Sequence, residues 1–152
     1  MNKFLGTGFY TGLAPIAPGT VGSFFATLSV WGLSIYFGQV ALFLCLAFWI
    51  VVTIRTAPWF ESNYGKDPSV MVSDEWAGQT IPFLSISFTG NLAQDWWILL
   101  AGFLLFRFFD ILKPFGIKKL QDYKGGFGIL FDDLVAGIYS LVTLKLLILL
   151  IS

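Results

Sequence analysis

Apolar positions run almost unbroken through four stretches of the chain, approximately 21–37, 40–58, 96–112 and 134–152. Each is near the ~20 residues that a helix needs to cross a bilayer. Pro15, Pro18, Gly19 and Thr20 precede the first stretch and read as a loop ending in an N-cap. Gly38 and Gln39 make a minimal turn, so the first two helices form a hairpin. Asp132 or Asp133 opens the last helix, where a carboxylate suits the positive end of the macrodipole. The predicted fold is an all-α, integral membrane helical bundle, a single domain over 1–152.

A fifth stretch, 76–88, reads "WAGQTIPFLSISF" and is short, with Pro82 at its middle. A loop, a re-entrant element and a short crossing all fit it. Charge asymmetry favours the crossing. With it, Lys3, Arg55, Lys66, Lys113, Lys118, Lys119 and Lys124 fall on one side, with Arg107 one turn inside. Without it, the basic residues of 113–124 lie opposite Lys3, Arg55 and Lys66. Positive residues belong on the cytoplasmic side, which predicts a cytoplasmic N-terminus and an external C-terminus. Every acidic residue except Asp95 then gathers at or just within the cytoplasmic face.

Composition supports the membrane reading. Of 152 residues, 57% are apolar and only 12% charged, against about 25% charged in soluble domains. A soluble chain of this length would leave too much apolar surface exposed. Net charge is zero and no basic stripe marks a nucleic-acid partner. There is no histidine, and the lone Cys45 lies in an apolar run. Imidazole and thiolate chemistry are thereby excluded. Any catalysis rests on carboxylates, lysine, arginine, hydroxyls and backbone amides, and carboxylate-only metal sites favour hard cations such as Mg²⁺.

Three constellations carry candidate chemistry. In "APGTVGS", residues 17–23, a glycine-bearing loop enters a helix. Gly19, Thr20, Gly22 and Ser23 then offer free backbone N–H groups and hydroxyls suited to phosphate, or simply a helix cap. In "SDEW", residues 73–76, Asp74 and Glu75 open the short segment about 100° apart on a helix, so at most one faces a given site directly. The third joins "FRFFDILKP" to "KGGFGILFDD". Arg107 and Asp110 are i,i+3 neighbours able to pair, as are Asp110 and Lys113, and Pro114 ends the helix. Ionisable groups within a membrane helix are costly and by default functional, the alternative being a structural ion pair. Gly125, Gly126 and Gly128 let the backbone approach a ligand, and Gly137 allows close helix approach. Asp74, Glu75, Asp110, Asp132 and Asp133 can together supply a Mg²⁺ site. Arg107, Lys113, Lys124 and the 19–23 loop can bind phosphate oxygens. That is the equipment of phosphoryl chemistry.

The motifs "TGLAPIAPGTVGS", "VSDEWAG", "FRFFDILKPF" and "KGGFGILFDDLVAGIYS", in this order and spacing, closely resemble the phosphatidylglycerophosphatase A family of bacterial membrane lipid phosphatases. The resemblance covers about residues 6–140. It implies Mg²⁺-dependent hydrolysis of the terminal phosphomonoester of phosphatidylglycerophosphate at the cytoplasmic face of the bacterial inner membrane. It carries roles onto Asp74 and Glu75, onto Arg107, Asp110 and Lys113, and onto Gly125, Gly126, Asp132 and Asp133. Pro68 stands where family members often have a histidine, so an imidazole there is not essential in this chain. Water attack and an aspartyl-phosphate on Asp110, Asp132 or Asp133 both remain open. Two rivals are weighed beside it. A phospholipid headgroup transferase lacks its "DGxxAR" pattern here. A small carrier, with Asp110 and Asp132 or Asp133 as its ion site, fits a one-sided charge cluster less well.

Overall fold

The computed structural model describes residues 1–114 and 126–151, with five helices and no strand among them. They are α1 (Asn2–Gly6), α2 (Pro18–Tyr64), α3 (Ser73–Thr80), α4 (Leu92–Leu112) and α5 (Gly126–Ile151). Two of them, Pro18–Tyr64 and Phe127–Ile151, are long and apolar enough to cross a membrane. The all-α membrane fold expected from the apolar runs is the fold found.

α2 is two legs rather than one rod. Gly38 leaves the helical region with φ 72° and ψ −171°, a conformation open to glycine but strained for residues with a Cβ. The expected hairpin turn lies there. Its helices extend further than the sequence suggests. The first starts at Pro18 with Ala17 as a left-handed N-cap, so Thr20 sits inside the first turn and caps nothing. Proline suits that first position because its missing N–H would be unpaired anyway. The second leg passes through Pro58 to Tyr64, because the flanking Ala57 and Phe60 are fully buried and outweigh one lost hydrogen bond. α5 likewise starts at Gly126, placing Asp132 and Asp133 in its interior rather than at its cap.

The segment after residue 72 lies beside the second leg of α2. α3 spans only 8 residues, about 12 Å, and a short 3-10 turn at Ile81–Phe83 extends it. At its start, Ser73 accepts a hydrogen bond from Thr53 Oγ1 at 3.0 Å. At its end, Gln39, beside the α2 bend, accepts from the Ser85 amide at 3.1 Å and donates to the Ile86 carbonyl. Residues 73–86 therefore run beside the second leg of α2, from the level of Thr53 to its Gln39 end.

Two glycines let α3 approach α5. A methyl on Gly137 would lie 2.5 Å from the Gly78 carbonyl oxygen, and one on Gly78 would lie 2.7 Å from the Asp133 carbonyl oxygen. Backbone-to-backbone packing of this kind is open only to the smallest residue. It sets Asp133 one turn above the crossing, beside the start of α3.

Asp95 staples the opposite end, a role the sequence reading missed. Its carboxylate accepts from Trp31 Nε1 at 2.9 Å, from the Thr89 amide and hydroxyl at 2.9 Å each, and from the Gly90 amide at 3.0 Å. Trp31→Phe removes the bond that joins α2 to α4 there. It should lower stability by about 1–3 kcal/mol, read as the melting temperature in detergent. Large apolar side chains such as Phe25, Phe43, Leu104, Phe108, Val142 and Leu146 face outward, as lipid-facing surface does.

Candidate active site

The polar end of the bundle is built from the starts of α2, α3 and α5 and the end of α4. One carboxylate oxygen each from Asp74, Glu75 and Asp133 lies within 4.8 Å of the others. Among the described residues, Asp74 Oδ1, Glu75 Oε2 and Asp133 Oδ2 are buried and have no hydrogen-bond partner. The sequence spacing of about 100° between Asp74 and Glu75 suggested that only one would face a site. Both place an oxygen in this cluster.

Three clustered carboxylates, each with one buried oxygen that no described donor reaches, are a costly arrangement, since each loses hydration and repels the others. A hard divalent cation removes both costs. Its oxygen ligands at about 2.0–2.6 Å would bring these atoms a little closer together than they stand. The residues present thus fit a Mg²⁺ or similar ion.

Asp110 and Asp132, grouped with these three by sequence, already have partners. Arg107 NH1 lies 2.6 Å from Asp110 Oδ2, the expected i,i+3 pair. Lys113 pairs with Asp132 on α5 and not with Asp110. The reason is backbone: Lys113 is the left-handed C-cap of α4 at φ 45°, so helical spacing no longer governs its direction. Burial works against the charge of Lys113, but the Asp132 carboxylate outweighs it and holds the ammonium pKa above its ordinary value. Asp110, Asp74, Glu75 and Asp132 all act electrostatically on Asp133, so the five carboxylates form one field.

The 17–23 segment contributes unevenly. A methyl on Gly19 would meet Glu75 Oε1 at 2.3 Å and Arg107 NH1 at 3.3 Å, so Gly19 forms the wall beside both. Ser23 is fully buried, donates to the Gly19 carbonyl at 2.8 Å and accepts from Arg107 NH1 at 3.4 Å. Gly22 instead packs on Val72, and Thr20 is half-buried in the first turn of α2. Arg107 Nε is buried with no partner among the described residues, a donor left for an anion. Gly126 is the first residue of α5. Lys124 and Gly125 lie outside the described residues.

The chain matches the family described as Phosphatidylglycerophosphatase A over residues 4–148. A putative phosphatidylinositol-3-phosphatase of Bacteroides thetaiotaomicron is 39% identical over 91% of this chain and 87% of its own length. A phosphatidylglycerophosphatase A of Haemophilus influenzae is 37% identical over 91% and 83%, and one of Escherichia coli is 33% identical over 90% and 77%. No solved structure matches the chain. This all-α membrane protein with its carboxylate–arginine corner, matched along nearly its whole length, belongs to the phosphatidylglycerophosphatase A family and is an enzyme of the phosphatase kind.

Proposed function

We propose that the protein hydrolyses the terminal phosphomonoester of phosphatidylglycerophosphate to phosphatidylglycerol and inorganic phosphate, as a multi-pass protein of the bacterial inner membrane. The observation that carries this reading is the cluster of Asp74, Glu75 and Asp133, each with one buried oxygen unpartnered among the described residues, set against Arg107 and Gly19. Lys3, Arg55, Lys66 and Lys113 accompany that end of the bundle, which supports placing it at the cytoplasmic face.

Asp74, Glu75 and Asp133 would hold Mg²⁺, which when bound supplies positive charge against the phosphoryl oxygens and orients water. Arg107 binds the phosphoryl group through its free Nε, while Asp110 and Ser23 fix the plane of its guanidinium. Lys113, held charged by Asp132, adds positive potential at the mouth. Gly19 keeps the approach to Glu75 and Arg107 open. Thr20 by its hydroxyl and Lys124 by its charge, with Gly125 and Gly126 on the strength of the family motifs, complete the phosphate-binding set. Water's oxygen forms the new bond to phosphorus, and the P–O bond to the glycerol carbon chain's oxygen breaks, that oxygen leaving with a proton.

The test is phosphate release from phosphatidylglycerophosphate by protein purified in detergent, with Mg²⁺ or with EDTA. Release with Mg²⁺ and none after chelation is expected. No release under either condition overturns the phosphatase reading, and release that survives full chelation overturns its metal dependence alone. A second substrate, phosphatidylinositol 3-phosphate, is worth the same assay because a 39% identical relative carries that activity in its name. Gly19→Ala should lower the rate about 100-fold with an unchanged melting temperature. The added methyl drives Glu75 and Arg107 apart, and displacement of about 1 Å costs this much.

A further inference from the structure

Between the first leg of α2 and α4 lies an apolar crevice of about 180 Å³. Phe24 and Leu28 form one wall, Leu99, Leu100 and Phe103 the other, and Trp96 stands at its far end. The two helices are joined at both ends of this crevice by polar contacts. Arg107 donates to Ser23 above it, and Trp31 donates to Asp95 below. We propose that the crevice is the acyl-chain subsite of the enzyme, holding one chain of the lipid whose phosphate lies at Arg107. This inference rests on the lipid phosphatase reading and names which helix pair admits the lipid.

Three observations carry it. First, the crevice lies directly below the polar site along the same two helices. Ser23 adjoins Phe24, and Arg107 stands one turn above Phe103, with the Phe24 and Phe103 rings in edge contact, centroids 6.3 Å apart, between corner and crevice. Polar corner and apolar wall thus follow one another as headgroup and chain do in a lipid. Second, positions 96, 100, 103 and 107 share one face of α4, and the rise from Trp96 to Arg107 is roughly 16 Å. That is about half of a ~30 Å hydrocarbon core, the depth of one leaflet. Third, the walls are open sideways to the bilayer: Phe24 is 49% exposed, Leu28 42% and Leu100 46%.

The larger hollow, about 720 Å³ between the two legs of α2, does not serve. No residue of the polar site lines it. Its end nearest the site is closed by Phe9, Trp49 and Trp76, whose ring centroids lie 4.7–5.5 Å apart.

The experiment compares two phosphatidylglycerophosphates, one with long chains and one with six-carbon chains, in Leu28→Trp, Leu100→Trp and, as a control in the other hollow, Leu44→Trp. Excluding about two methylenes from the crevice should lower the long-to-short ratio of kcat/KM about ten-fold in the first two variants. The control should leave the ratio alone. A ratio unmoved in Leu28→Trp and Leu100→Trp, or moved equally in Leu44→Trp, overturns the assignment. In parallel, wild type is photolabelled with phosphatidylglycerophosphate bearing a diazirine at the chain end. Labels on α2 24–28 and α4 96–103, competed by unlabelled phosphatidylglycerophosphate and not by phosphatidylcholine, support the crevice. Labels confined to 36–48 overturn it. If wild type hydrolyses neither lipid, the phosphatase reading fails by itself, and the labelling still decides where the chain lies.

Discussion

Asp133→Asn should abolish phosphate release, lowering it about a thousand-fold or more, while the protein melts at a higher temperature than wild type in the presence of EDTA. Both effects come from the same atoms. Asp133 Oδ2 is buried and without a donor, and its neighbours are the carboxylates of Asp74 and Glu75. Removing one negative charge relieves repulsion that folding must otherwise overcome, a gain of about 1 kcal/mol or more. It also replaces one of three anionic ligands able to hold a cation by a neutral amide, and a cation's electrostatic contribution to phosphoryl transfer is several kcal/mol. A residue whose loss strengthens the fold and ends the activity is held there for chemistry. Stability that falls together with activity would instead identify Asp133 as structural. Mg²⁺ should raise the melting temperature of wild type and leave that of Asp133→Asn unmoved, since only a site present in the folded state transfers binding energy to stability.

Gly137→Ala should be damaging in the opposite sense, lowering stability and activity together. The added methyl meets the Gly78 carbonyl oxygen at 2.5 Å and Ile81 Cβ at 2.9 Å. The first of these is backbone of a buried helix and cannot rotate away, so α3 and α5 must separate. Overpacking of this kind costs about 1–3 kcal/mol. Because Asp133 sits one turn above the crossing, its distance from Asp74 and Glu75 grows as well, and a shift near 1 Å should lower the rate about 100-fold. Gly32→Ala is the matched control. A methyl there meets nothing within 4 Å, and alanine's better helix propensity should stabilise by about 0.5–1 kcal/mol. Equal behaviour of the two variants would show that the α3–α5 approach does not shape the site.

What could be read from the sequence, and what could not, divides along the range of the interaction. Apolar runs and the Gly38 break are local signals, and they located α2, α4 and the body of α5. The i,i+3 rule foresaw the Arg107–Asp110 pair because both residues belong to one regular helix. The same rule failed for Asp110 and Lys113, because Lys113 leaves helical geometry and finds Asp132 instead. Helix starts were misread at Thr20 and at Asp132, where residues typical of caps lie inside longer helices. Gly137 was recognisable as a place of close approach, but its partner Gly78 was not, since no local pattern names a residue 59 positions away. Asp95 looked like an isolated polar landmark. Its four donors come from two separate stretches of chain and are assembled only by the fold. The five acids were legible as a set. Which three lack partners depends on where Arg107 and Lys113 place their charges.

The most direct measurement of the central claim is calorimetric titration of Mg²⁺ into the detergent-purified protein, comparing wild type with Asp74→Asn and Asp133→Asn. Mg²⁺ should bind wild type and bind about 100-fold or more weakly to each variant, with both variants still folded by their melting curves. Wild-type affinity in either variant would contradict it.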